Sequence, residues 1–157
     1  MQLGLISDTH GTVPNAVHEA LAGVGCILHA GDVGSEEVLT ELEAIAPVRA
    51  VLGNTDHGLA LPETRAEEFA GHRFLLHHIV DIEFPSRTVR GLLAEEQPDF
   101  VVFGHTHMPF DETLDGVRYL NPGSPNSPRG GAPATVAIVE LEAGQPEVRH
   151  ITLPMPL

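Results

Sequence analysis

An α/β fold built around a parallel sheet is predicted by three features of the sequence. Short apolar runs stop abruptly at Gly, Asp, Asn or His; amphipathic helical segments separate the first of them; and the second half turns to shorter alternating strands with glycine and proline turns. LGLIS (3–7) leads into DTHG, and a helix is expected from near Pro14, with Ala16, Val17, Ala20, Leu21 and Val24 as its buried stripe. CILHA (26–30) leads into GDVG. Ser35 then suits a helix N-cap, Glu36 and Glu37 complement the helix dipole, and Val38, Leu39, Leu42 and Ile45 form the next apolar face. VRAVL (48–52) leads into GNTD. The order is βαβαβ, and right-handed crossovers make the three strands parallel with their C-terminal ends on one edge.

RFLLHH (73–78) and DFVVFG (99–104) read as two further buried strands, separated by weak helical patterning over Ser86 to Gln97. FDETL (110–114), VRYL (117–120), ATVAIVEL (134–141) and EVRHITL (147–153) alternate as an antiparallel meander would. NPGSPNSPRGGAP (121–133) is a loop, long enough to be functional. A single domain over 1–157 is expected, since no low-complexity tail or second pattern interrupts the chain. No stretch approaches the roughly 20 apolar residues of a membrane span. The N-terminus lacks the basic and apolar regions of a signal peptide, so a cytoplasmic protein is expected. The lone Cys26 excludes an intramolecular disulfide and reads as a small buried side chain.

Twenty-two acidic against eight basic residues give a net charge of −14, which repels nucleic-acid polymers and anionic membranes. Any phosphate-binding function would need positive charge from elsewhere, and bound divalent cations are one source.

In open α/β sheets, ligands bind at the carboxyl ends of the parallel strands. Asp8 and His10, Asp32, Asn54, one of His77 and His78, and His105 and His107 each directly follow a predicted strand. Singly, Asp8, Asp32 and Asn54 have a plainer reading as turn formers. That reading must be invoked anew at every strand end, whereas a shared metal centre accounts for all of them once. His29 reads as a structural, hydrogen-bonded histidine near this edge; His18, His72 and His150 carry no signal. Seven side chains are too many for one tetrahedral zinc and too rich in nitrogen for magnesium or calcium. They divide between two ions if Asp32 bridges, each ion taking one histidine of the GHTH segment (104–107). Zn, Mn, Fe and Ni all suit such ligands.

DTH (8–10), GD (31–32), GN (53–54), a strand-end histidine, GHTH (104–107) and NPGS (121–124), in that order, resemble the calcineurin-like metallophosphoesterases, and most closely their small bacterial and archaeal phosphodiesterases of the YfcE type. The resemblance spans nearly the whole chain. It implies a four-layer α/β/β/α sandwich and a dinuclear centre holding manganese first, with nickel, iron or zinc as alternatives. Carried over by motif, Asp8, His10, Asp32 and His107 would hold one ion, and Asp32, Asn54, His77 and His105 the other. The implied reaction is in-line attack on phosphorus by a metal-bound hydroxide, with Asn54 orienting a phosphate oxygen and Asp32 bridging.

Two positions depart from the family pattern. Thr55 stands where many relatives have histidine after GN as a candidate general acid, and threonine is a poor proton donor at neutral pH. Phosphodiesters with good leaving groups are therefore favoured, with Asp56 or His57 as alternative proton sources. His77-His78 replaces the usual single histidine; His77, ending the apolar run, is preferred, and a one-residue shift would substitute His78. The expected substrate is a small phosphodiester or nucleotide. A phosphomonoesterase and a non-catalytic protein-binding module on the same fold are the alternatives. Arg129 reads as a solvated loop residue within reach of a substrate phosphate. The short Ser86–Gln97 connection leaves little material for a lid, so an open cleft is expected, one that another subunit of a homo-oligomer could cover.

Overall fold

The computed structural model describes residues 1–142 and 144–154. The elements are β1 (Gln2–Ile6), α1 (Asn15–Ala20), β2 (Cys26–His29), α2 (Glu36–Glu43), β3 (Val48–Ala50), β4 (Thr64–Phe69), β5 (His72–His77), α3 (Arg87–Glu96), β6 (Phe100–Val102), β7 (Pro109–Leu114), β8 (Val117–Pro122), β9 (Thr135–Glu140) and β10 (Glu147–Thr152). They form two five-stranded sheets, ordered β10-β9-β1-β2-β3 and β4-β5-β6-β8-β7.

Strand periodicity dictates how the layers stack, because alternate side chains leave a strand on opposite faces. Leu3 and Leu5 of β1 meet Phe74 and Leu76 of β5 and Phe100 and Val102 of β6 in a core between the sheets. Phe74 and Phe100 stack there with ring centroids 4.5 Å apart. The opposite face of the first sheet, with Ile6 and Ile27, packs against Val17 of α1 and Val38 and Leu42 of α2. The opposite face of the second sheet, with Leu75 and Val101, packs against Val89 of α3. Three apolar seams thus join four layers, α/β/β/α. Each fully buried Leu or Phe contributes about 1.5–3 kcal/mol relative to exposure.

The helices are short, and their ends follow local chemistry. Ser86 caps α3 by accepting the Val89 N–H at 3.2 Å, and Gln97 stops it in the left-handed region, so the weakly patterned segment is a complete helix. Ser35 occupies the N-cap of α2 as expected, but its hydroxyl makes no capping bond. α1 ends at Ala20, and Leu21 and Val24 bury themselves from the turn beyond it.

β1, β2 and β3 are parallel, as the βαβαβ reading requires. The expected meander is redistributed. β7 and β8 pair antiparallel in the second sheet, where β8 also runs parallel to β6. β9 and β10 return to the first sheet, with β9 antiparallel to β1. β4, TRAEEF, is a strand the apolar pattern does not announce: it is an edge strand rich in charge, paired only with β5. Among the described residues, no helix is long and apolar enough to cross a membrane. The C-terminal ends of β1, β2, β3, β5 and β6 carry the segments DTH, GD, GN, His78 and GHTH.

Candidate metal centre

The strand-end loops are laced together by backbone hydrogen bonds that extend the sheets past their formal ends. Asp8 N–H donates to Gly31 O at 2.9 Å, His10 N–H to Asp32 O at 3.0 Å, and Gly104 N–H to His78 O at 3.0 Å. His105 N–H donates to Asp8 Oδ2 at 3.0 Å, joining the loop of one sheet to the loop of the other. The lacing needs close approach. A Cβ on Gly53 would lie 2.1 Å from Asp32 Oδ1 and 2.2 Å from its backbone N, and one on Gly104 would lie 2.1 Å from Ser7 Oγ. Gly53→Ala, whose clash includes backbone, is expected to cost about 2–3 kcal/mol of overpacking strain. Urea unfolding of the metal-free protein measures it.

Asp8, His10, Asp32, His105 and His107 all have positive φ, between 46° and 74°. Left-handed backbone is unfavourable for such side chains and persists only where surrounding contacts enforce it, commonly at functional sites. Here all five residues belong to the strand-end loops, with Asp8, Asp32 and His107 buried and His10 and His105 on the open side.

Their polar atoms meet in one cluster. His107 Nε2 lies 3.3 Å from Asp8 Oδ1 and 3.3 Å from His10 Nε2. His78 Nε2 lies 3.3 Å from Asp32 Oδ2 and 3.8 Å from Asp8 Oδ1, and His10 Nε2 lies 3.7 Å from Asp32 Oδ2. On the open side, His105 Nδ1 is 3.1 Å from Asn54 Oδ1. Asp8 and Asp32 are almost completely buried, and among the described residues no Arg forms an ion pair with either.

Tautomers sharpen the electrostatics. His78 Nδ1 faces Ala30 O at 2.8 Å and His107 Nδ1 faces Ser127 O at 2.6 Å. A carbonyl only accepts, so each Nδ1 carries the proton, and in the neutral ring Nε2 is a lone pair. Those lone pairs point at carboxylate oxygens, acceptor against acceptor. Asp8 Oδ1 and His78 Nε2 are buried without any hydrogen bond. Two buried carboxylates facing imidazole lone pairs need positive charge between them, from a bound metal ion or from a proton on a ring nitrogen. The groups Asp8, His10, His107 and Asp8, Asp32, His78 each bring their donor atoms within 4.8 Å of one another, as ligands of a metal ion would be. The donor set fits divalent transition metals, and the carbonyl partners of His78 and His107 are the supports metal-bound imidazoles ordinarily have.

Asp32 is balanced by opposing influences. Burial raises its pKa, but the Thr55 N–H bond to Oδ1 at 2.9 Å and the nearby His78 and His10 outweigh it, leaving the carboxyl below its usual range. His29 behaves differently. Its Nδ1 accepts the Gly31 N–H at 3.1 Å; Thr9 Oγ1, which donates to Val33 O, accepts the His29 Nε2–H at 3.0 Å. A fully buried neutral ring results, and burial pushes its pKa down to about 3. The structural reading of His29 fits this arrangement.

Of the two histidines at the end of β5, His78 lies in the cluster and His77 outside it. His77 faces away, with Nδ1 2.8 Å from Thr64 Oγ1 of the edge strand, and burial lowers its pKa. Alternation gives the reason: Phe74 and Leu76 face the other sheet, and His78 continues that parity. Asp56 is not free to donate a proton, because its carboxylate accepts the N–H groups of Val33, Gly34 and Gly53 at 2.9–3.1 Å. The 121–133 loop is anchored. Ser124 Oγ donates to Asp8 O and Asn126 Nδ2 to Thr9 O, at 2.9 and 2.8 Å, while Asn121 Nδ2 holds Gly104 O at 3.1 Å. NPGS was visible as a motif, but its buttressing role was not.

The profile of the calcineurin-like phosphoesterase superfamily domain matches residues 1–144. The chain belongs to that superfamily. It is similar to a probable metallophosphoesterase of Methanothermobacter thermautotrophicus, at 40% identity over 146 residues, 88% of this chain and 85% of that protein. It is also similar to the phosphodiesterase YfcE of Escherichia coli, at 28% identity over 162 residues, 89% of this chain and 88% of that one. Among solved structures, an archaeal phosphodiesterase superposes with a TM-score of 0.78 at 26% identity, covering 98% of this chain and 100% of its own. Vps29 of Entamoeba histolytica, in complex with zinc, superposes with a TM-score of 0.76 at 20% identity, covering 97% of this chain and 99% of its own, a likeness of fold alone. Metallophosphoesterases use divalent metals, and the cluster of Asp8, His10, Asp32, His78 and His107 offers ligands of that kind.

Proposed function

We propose that this metallophosphoesterase is a phosphodiesterase working with two divalent transition-metal ions, manganese foremost. The observation that carries the reading is the pair of buried, hydrogen-bond-free atoms, Asp8 Oδ1 and His78 Nε2, within a cluster of carboxylates and imidazole lone pairs. Asp8, His10, Asp32 and His107 would hold one ion; Asp32, Asn54, His78 and His105 the other, with Asp32 shared because its Oδ2 lies near both His10 and His78. When bound, such ions lower the pKa of a coordinated water and neutralise charge on phosphate oxygens.

The chain's own groups supply the rest. Asn54 turns Oδ1 toward His105, which leaves its exposed amide Nδ2 as a donor to a phosphate oxygen. Thr55 places a backbone N–H on Asp32 rather than an acid at the leaving group, and Asp56 is committed to loop N–H groups. Hydrolysis adds water across one P–O ester bond, yielding a monoester and an alcohol. With Thr55 in place of an acid and Asp56 committed to the loop, His57 is the one proton source of the three left in this segment, and diesters with good leaving groups are the expected substrates.

With manganese, bis-p-nitrophenyl phosphate should be turned over faster than p-nitrophenyl phosphate. The reverse order would favour a phosphomonoesterase, and no turnover of either across manganese, nickel, iron and zinc would overturn the enzymatic reading.

A further inference from the structure

Beside the metal cluster runs a groove of about 640 Å³, within the range of small-molecule sites. It lies between the segment after β5 and the segment joining β6 to β7. Ile79, Ile82, Phe103, Met108 and Phe110 line it, and Gly104, His105 and Thr106 form its end against the cluster. His105 therefore borders the groove while its Nδ1 faces Asn54. Ile79 and Met108, 46% and 41% exposed, follow His78 and His107 directly, so apolar surface begins one residue from the candidate ligands on both walls.

The groove's charge is one-sided. Asp81, Glu83 and Glu112 are exposed in its lining, and it contains no Arg. A bound group there would meet apolar walls under a negative rim, which favours burial of apolar surface and opposes a further anionic group. A second, smaller cleft, lined by Asn54, Glu63, His77 and His78 together with Leu52 and Ile79, mixes polar and apolar groups. The larger apolar surface beside the cluster therefore belongs to the groove, which suits a phosphorus centre carrying one apolar substituent on that side.

Resting on the phosphodiesterase reading, we infer that the groove bounded by Ile79, Ile82, Met108 and Phe110 selects diesters with one apolar, uncharged substituent, aryl or comparably flat, and discriminates against substituents bearing negative charge. Nucleotides with additional phosphates fall on the disfavoured side.

Competition against bis-p-nitrophenyl phosphate turnover by the manganese-loaded full chain tests this with three diesters: dimethyl phosphate, methyl phenyl phosphate and methyl 4-carboxyphenyl phosphate. The inhibition constant of methyl phenyl phosphate is expected about tenfold or more below the other two, reflecting burial of one ring. In the Ile79→Ser/Met108→Ser variant, both sites being exposed, the constants of methyl phenyl and dimethyl phosphate should converge to within about twofold, with metal content retained and the carboxyphenyl ester still disfavoured by the unchanged acidic rim. Equal constants in the unsubstituted protein, or a phenyl preference that survives both substitutions, would overturn the groove assignment while reporter turnover upholds the phosphodiesterase. A carboxyphenyl ester binding as tightly as the phenyl ester would overturn the charge discrimination. Absence of reporter turnover with every metal would remove the phosphodiesterase reading and this inference with it.

Discussion

His78→Ala is expected to strip metal from the protein and lower turnover of a diester by about a hundredfold or more, whereas His77→Ala should retain both within a few fold. The two residues are adjacent in sequence and opposite in direction. His78 directs an imidazole lone pair at Asp32 Oδ2 and Asp8 Oδ1, steadied by Ala30 O, and has no other polar partner at Nε2. His77 pairs with Thr64 in the register that places those residues opposite each other on β5 and β4. Its removal loosens an edge strand, a modest loss of stability. Metal content after dialysis, measured beside turnover and thermal stability, separates the roles. Metal loss confined to His77→Ala would reverse the assignment.

The second large effect is on stability against acid. His29 is neutral in the fold, with a pKa near 3 instead of about 6.5, because burial disfavours its charged form. The unfolded chain therefore takes up a proton, as pH falls below 6.5, that the folded chain refuses. The folded pKa being the lower, the neutral ring's stability is intact above pH 6.5 and is lost progressively down to about pH 3. The full loss amounts to about 5 kcal/mol. In His29→Gln, the amide cannot reproduce both hydrogen bonds to Thr9 and Gly31, so stability at pH 8 should drop by about 1–3 kcal/mol. The variant lacks the titrating group, however, and its curve should meet or cross that of the parent as pH falls to 4. Denaturant titrations in the presence of chelator, repeated across pH, measure the narrowing gap. Parallel curves would mean that His29 titrates alike in both states.

Much of the fold and site was legible because it is written locally. The runs before DTH, GD, GN and GHTH announce strands by apolar content, and their polar ends announce an edge where ligands gather. β4 was not legible, since Arg65, Glu67 and Glu68 on an edge strand hide the pattern that a buried strand displays. The return of β9 to the side of β1 is a long-range pairing that no local periodicity encodes. His78 was within reach: counting Phe74, Leu76 and His78 along one face selects it, whereas weighting the end of an apolar run selects its neighbour. The roles of Ser124, Asn126 and Ser127 depend on partners in distant segments, Asp8 O, Thr9 O and His107 Nδ1, two of them backbone carbonyls that have no sequence signature.

That anchoring loop has a consequence for synthesis. Every candidate ligand lies between Asp8 and His107, yet the carbonyl that orients His107 comes from Ser127, and the strand that pairs with the outer side of β1 ends at Glu140. A nascent chain displays all its donor atoms before it owns the parts that aim them. A chain truncated before residue 127 is therefore expected to hold every ligand and yet no competent centre, because the carbonyl that aims His107 and the strand that backs β1 are both missing.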